Sequence, residues 1–295
     1  TKQGPNNVIL LPTLLALGAA ANFGVMVHLQ KRGLMRQDPL IGAFILVASM
    51  AASLWLISPW FIEWHWFTTR SALIFCLAGF FMPAAAQLCQ ILAVSKVGPA
   101  LSSAIGAFVP FFAVIPAVTF LGEPFGFQLM AGMTIMTVGL VLAAFKGKGI
   151  VRSWPIWALL VPLFASLMRG TGMPIVKVGM NDLPSPLFAT LVMATTSTVV
   201  LALVITLMGR PKELVFIKKG AGWFAAGGAI NAFATVLLNT AMKLGGVSLA
   251  APLAATAPLW ALMFGYFIFK NETLTRRHLL VALMVVLGSV LIVTR

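Results

Sequence analysis

Apolar residues dominate this chain in ten long runs, each closed by a charge, by Gly or Pro, or by a tryptophan. The runs cover residues 8–30, 39–62, 71–95, 99–121, 125–145, 154–177, 185–208, 221–243, 247–269 and 277–294. A helix needs about 20 apolar residues to cross a hydrocarbon core of roughly 30 Å, so each run is long enough, or nearly so, to be one crossing. The expected fold class is an all-α integral membrane protein with ten transmembrane helices. The first run, Val8 to Leu29, is too long for a signal-peptide core and no small-residue cleavage site follows it, so it reads as the first span.

Composition narrows the class further. Of 295 residues, 60% are hydrophobic and 9% charged, against the quarter or so of charged residues in soluble domains. The mean hydropathy is +1.02. Such a chain has too little polar surface for water and no room for a separate soluble domain.

The net charge of +14 would suggest nucleic acid in a soluble protein. Here the cations lie in short loops between apolar runs, where they set topology and meet anionic lipid, so the expected partner is the membrane and not nucleic acid. Of the 20 Lys and Arg residues, fourteen fall in the loops after odd-numbered spans, within 31–36, at 96, and within 146–152, 210–219 and 270–277. Five fall elsewhere outside the runs or at their ends, Lys2, Arg70, Lys177, Lys243 and Arg295, and the last, Arg169, lies in a span. The positive-inside rule then puts the basic loops in the cytoplasm and both termini outside it, in an inner membrane. Trp55, Trp60, Trp64, Trp66, Trp154, Trp157 and Trp223 gather at predicted span ends, as amphipathic rings do at headgroups.

The chain also repeats itself. The stretch beginning at Lys96 lies over the stretch beginning at Lys243 with an offset of 147 to 149, matching Pro110 with Pro258, Glu123 with Glu272 and Gly139 with Gly288. Asp38-Pro39-Leu40 likewise lies over Ser185-Pro186-Leu187. The expected organisation is two five-helix repeats, residues 1–148 and 149–295. An odd number of spans per copy turns the second copy upside down, and inverted repeats of this kind are the architecture of alternating-access carriers.

These residues resemble the drug/metabolite transporter superfamily in its ten-helix EamA-type branch. The resemblance rests on Lys96 to Gly98, Pro110, Leu121-Gly122-Glu123, Gly132 and Gly139, repeated as Lys243 to Gly246, Pro258, Asn271-Glu272 and Gly288. The second copy departs from the pattern where Asn271 replaces the glycine. Within the superfamily the chain is most similar to metabolite and amino-acid exporters, the YddG-like group among them. The resemblance implies a secondary transporter exporting amino acids or similar small metabolites through a central cavity. Drugs, or phosphorylated and nucleotide-linked sugars, are the alternative cargo. An intramembrane lipid-modifying enzyme is the rival of another class.

Enzyme chemistry finds little support. No GxxxxGK[ST] cradles ATP, no Ser/His/Asp set or HExxH occurs, and metal ligands are sparse, so no catalytic residue, cofactor or metal is expected. Cys76 and Cys89, 13 residues apart on one span, can neither pair nor share a metal. The carboxylates Asp38, Glu63, Glu123, Asp182, Glu213 and Glu272 all fall in loops or at span ends, which points to facilitative transport. Glu123 and Glu272 are expected to cap the amides of the spans they precede. His28, beside Lys31 and Arg32 near a span end, is expected at the headgroups. Nothing in the sequence requires an oligomer.

Polar residues inside spans are the substrate-binding candidates, because their burial is costly. Arg169 lies midway along span 6 and falls opposite Asn22 of span 1 in the repeat. It could bind a carboxylate or phosphate through two hydrogen bonds, or bond to backbone carbonyls. Gln87 and Gln90 in span 3, and Asn231, Thr235 and Asn239 in span 8, line one face of each helix; interhelical hydrogen bonding is their alternative role. Trp260 and Phe108 could form an aromatic wall for the substrate or face lipid. Pro110, Pro116, Pro252 and Pro258, beside the small-residue pairs Ser102/Gly106 and Ala251/Ala255, are the hinge candidates.

Overall fold

A computed structural model describes residues 5–97, 99–144, 156–214, 220–270 and 276–294. Every regular element among them is helical. Eight segments, from Ile9–Leu34 to Val247–Phe267, are long and apolar enough to cross a membrane, and Phe127–Leu142 and His278–Val293 are shorter apolar helices. Large side chains such as Leu56, Leu73, Phe120, Leu203 and Leu279 stand exposed around the outside, Phe120 at 85% of its full area. An apolar surface of that extent suits lipid. The interior is filled by Ala16, Ala19, Met50, Phe75, Phe188, Leu191 and their neighbours.

The first two helices are α1 (Pro5–Leu34) and α2 (Pro39–Ile57). Asp38 caps α2, its carboxylate accepting from the amides of Leu40 and Ile41 at 3.0 and 3.2 Å, with Pro39 in the first turn. Span 3 is expected as one helix and is two: α3 (Arg70–Gly79) and α4 (Ala86–Val97) flank a widened turn, Phe80–Ala85, in which Met82 leaves helical geometry at φ −142°, ψ 119°. The cause is Pro83, which has no N–H for the carbonyl of Gly79 four residues back. That carbonyl instead receives the Ser197 hydroxyl at 2.6 Å.

Span 4 is also divided, into α5 (Pro99–Gly106) and α6 (Val109–Leu121), and α7 (Phe127–Ala144) follows. The second half brings α8 (Leu160–Asp182), α9 (Pro186–Leu207) capped by Ser185, and α10 (Ala221–Gly245). The last are α11 (Val247–Ala254), α12 (Ala257–Phe267) and α13 (Arg276–Val293). The break between α5 and α6 recurs between α11 and α12 at 148 positions' remove, Gly106 with Ala254 and Val109 with Ala257. The bounds of α7 and α13 match at 149, Phe127 with Arg276 and Ala144 with Val293.

α7 and α13 pack together in antiparallel sense. A Cβ on Gly132 would meet the Gly288 carbonyl at 2.7 Å, one on Gly288 would meet that of Gly132 at 2.6 Å, and Gly139 lies against Met284 and Val281. The loops separate by end. Gly220, at the head of α10, sits against Gly33 and Gln37, and Arg210 reaches Asp38, joining the loops after spans 1 and 7. Beyond the other end of α10, Pro12, Pro124, Gln128, Leu249 and Val293 line one cleft of about 490 Å³.

Two interfacial residues differ from expectation. His28 is not at the headgroups: α1 runs on to Leu34, and the ring is 5% exposed, stacked on Phe269 at 4.4 Å with Nε2 2.7 Å from the Ala261 carbonyl. Glu123 does cap amides, but those of α11, because the left-handed Gly122 (φ 68°) turns the chain away from α7. Glu272 and Asn271 lie outside the described residues.

Candidate functional site

Arg169 stands nine residues into α8 and thirteen from its end. At 1.5 Å per residue that is about 14 and 20 Å from the two ends, deep in a bilayer. Its neighbours one turn away on the same face, Ala165, Ser166, Gly172 and Met173, are all buried, so the side chain faces the bundle interior. Arg169 as a whole residue is half-buried, and its guanidinium makes no hydrogen bond or ion pair among the described residues. The described carboxylates lie at helix ends or in loops, so none stands near mid-span to neutralise it.

The sequence Arg169-Gly170-Thr171-Gly172 explains how the backbone crowds around this charge. A Cβ on Gly170 would lie 2.5 Å from Phe112 Cβ and 2.8 Å from the Val109 carbonyl, and one on Gly172 would lie 3.0 Å from Met82 Cβ. Both divided spans therefore approach α8 at glycines just after the arginine, span 4 just past its break and span 3 at the residue that leaves helical geometry. Irregular backbone at membrane depth is tolerated where it is buried in protein or lines a cavity. Part of the freed polarity is met by hydroxyls: Thr137 donates to Ala107 at 3.2 Å, and Ser166 to Ile105 at 3.3 Å.

Gln90 and Ser102 join α4 to α5 by a 2.9 Å bond beside this junction, and α4, α5 and α8 pack against one another. Gln87, one turn earlier on α4, is half-buried. The remaining candidates lie apart from Arg169. Asn22 donates to the Gly18 carbonyl of its own helix at 2.8 Å. Trp260 packs on Gly24 of α1 and against Phe264, while Phe108 is exposed. On α10, Asn231 reaches Met50 of α2, Thr235 is buried, and the fully buried Asn239 donates to Thr190 of α9 at 2.9 Å.

The glycine crossings also reset the repeat alignment. Gly24 against Trp260 in the α1/α12 pair answers to Gly170 against Phe112 in the α8/α6 pair. Gly24 thus matches Gly170 and the position opposite Arg169 is Phe23, with Asn22 opposite Met168. Of the hinge candidates, Pro110 and Pro258 stand in the first turns of α6 and α12, directly after the breaks. Pro116 and Pro252 sit inside α6 and α11. Sequence reasoning missed Pro83, Gly170 and Gly172; a proline within one apolar run, and two glycines just after the mid-span cation of another, were the available signals.

Comparison with known proteins fits this architecture of matched halves. The sequence pattern of the EamA-like transporter family matches residues 10–145 and again residues 155–294. The chain belongs to the EamA-like transporter family. This EamA-like protein is accordingly a multi-pass membrane transporter of the drug/metabolite type, built from two copies of the family unit. No curated protein matches it. Among solved structures 29 chains match. One of them, named only as a crystal structure of a protein, is 15% identical, with a TM-score of 0.74 over 95% of each chain. That likeness shows the fold alone.

Proposed function

We propose that this EamA-like protein exports amino acids or similar small metabolites across an inner membrane by alternating access, without a proton gradient. In this reading ten spans form two inverted copies, 1–148 and 149–295. The matched breaks in spans 4 and 9, the antiparallel α7/α13 pair and the sorting of loops to two ends support it. The bias of fourteen basic residues against five favours termini outside the cytoplasm. The observation that carries the substrate reading is Arg169, a mid-span cation with no counter-ion among the described residues, held between two divided spans. A guanidinium so placed can take the carboxylate of an amino acid through two parallel hydrogen bonds. Gln87 and Gln90 belong to α4, which packs against α8, and are the next residues proposed to meet a polar cargo. The absence of a carboxylate from the described spans favours a facilitator.

The decisive experiment is uptake of a mixture of radiolabelled amino acids into liposomes by the parent chain and by Arg169→Ala, beside thermal unfolding in detergent. The expected result is at least about a hundredfold lower initial rate, the factor of about 2.7 kcal/mol, with a melting temperature within a few degrees of the parent. Loss of thermal stability, or normal uptake by a stable variant, takes Arg169 out of the site. Abolition of uphill uptake when a pH gradient is collapsed refutes the facilitative mechanism.

A further inference from the structure

Glu123 leaves α6 immediately after Gly122 and reaches into the other half of the molecule. Its Oε1 accepts the Val247 amide and its Oε2 the Ser248 amide, each at 2.7 Å. These are the first amides of α11, which have no carbonyl partner in their own helix. Bonds from a backbone N–H to a carboxylate are of the stronger, charge-assisted kind. The same end is tied within the second half as well. Lys177 Nζ donates to the Met242 and Lys243 carbonyls that end α10, at 2.9 and 3.1 Å, and Lys243 Nζ donates to the Pro184 carbonyl at 2.7 Å. Of these links, the Glu123 pair alone crosses from one half to the other.

The two halves cannot make this contact equally. The alignment that matches Gly106 with Ala254 matches Val247 and Ser248 with Pro99 and Ala100. A proline has no N–H. At the positions aligned with Val247 and Ser248, the head of α5 therefore keeps one donor, that of Ala100, where α11 presents two; a carboxylate there would have to reach one residue further along the helix, as Asp38 does past Pro39.

We infer that Glu123 is a one-sided latch. Its grip on α11 holds closed the end of the transporter beyond α10, and biases the carrier toward opening at the basic-loop end. Opening the latched end parts α6 from α11 and breaks two charge-assisted bonds; at the opposite end the aligned positions at the head of α5 supply one N–H in place of two. The inference rests on the alternating-access reading above and assigns that cycle an unequal resting balance.

The test reads each end separately. In a chain with Cys76→Ala and Cys89→Ala, one reporter is Ser248→Cys beneath the latch and the other is Gln37→Cys at the head of α10. Both native side chains are buried, at 1% and 6% exposure. Labelling by a charged maleimide is timed in lipid nanodiscs, where both ends meet water. Glu123→Gln is expected to speed labelling at Ser248→Cys at least about tenfold, the factor that about 1.4 kcal/mol makes in an equilibrium, and to leave Gln37→Cys unchanged or slower. Val247→Pro, which gives α11 the proline heading α5 and keeps the carboxylate, is expected to speed it about threefold, one donor of the two being lost. Unchanged labelling at Ser248→Cys in both variants overturns the latch, as does faster labelling at both reporters, which marks a loosened fold. If instead both reporters label rapidly and together in the parent chain, the two ends do not alternate, and the carrier reading falls with the latch.

Discussion

Span 3 and span 8 hold matching positions in the two halves, α4 ending at Val97 and α10 at Gly245, yet they are built differently. Span 3 gives up helical geometry at Met82, while α10 runs 25 residues unbroken. The alignment of Lys96 with Lys243 sets Pro83 opposite Ile230, which retains its N–H. The irregular span lies against Gly172, beside Arg169; the regular one uses its amides to hold its neighbours, Asn231 on Met50 and Asn239 on Thr190. Duplication has thus left one copy to supply irregular backbone near the charge and the other to supply a rigid strut.

The comparison can be broken most directly by giving span 8 the proline of span 3. Ile230→Pro deprives the Ala226 carbonyl of its donor in mid-helix and is expected to cost about 3 kcal/mol or more. A melting temperature in detergent close to that of the parent would mean that α10 is no strut. A smaller effect is expected from Ser197→Ala, which removes the hydroxyl bonded to the Gly79 carbonyl, at about 1 kcal/mol. If this variant is as stable as the parent, the break in span 3 does not depend on α9.

The helix caps sharpen the contrast on the finest scale. Asp38 heads α2 where Ser185 heads α9, and only Asp38 titrates. Burial pulls the Asp38 carboxyl up, but bonds from the Ile41 amide, the Arg210 guanidinium and the Leu40 amide outweigh it and hold the group below its usual 3.8. Arg210, which pairs with Glu213 at 2.7 Å and Asp38 at 3.2 Å, is correspondingly raised above its ordinary value. A carboxyl lowered by folding stabilises the fold above its unfolded value, and that contribution disappears as pH falls through the folded one. The parent should therefore be more stable than Asp38→Asn above pH 3.8, by about 0.5 kcal/mol given the partial exposure of the pair, and should lose that margin below it. Thermal unfolding of both chains from pH 7 to 3 measures this; a margin that survives acid assigns the effect to shape and not to charge.

Much of this was legible in the sequence for a simple reason: lipid demands long apolar runs, and each run appears in the chain as one. The repeat could be read from Lys96 and Lys243, and the Asp-Pro and Ser-Pro pairs foretold the heads of α2 and α9. Arg169 could be found because a cation within an apolar run is rare. Pairings across the fold were not legible. That Glu123 serves α11, 124 positions away, depends on how α6 ends at a left-handed glycine. His28 looked interfacial because Lys31 and Arg32 follow it, but its burial is set by Phe269 and Ala261, more than 200 positions distant in the chain. That the Gly79 carbonyl freed by Pro83 would meet Ser197 of another helix, 118 positions away, was likewise not legible.

The glycine crossing of α7 and α13 has a consequence for how the two halves can associate. Exchanging the two copies carries the Gly132/Gly288 contact onto Val281/Gly139, which is also a contact in the molecule. A surface that answers to itself in this way is isologous, the kind that closes a two-fold dimer. Two separate copies of the half could meet through this same seam. Joining them in one chain needs a linker and no new interface, and leaves each half free to differ, as spans 3 and 8 do.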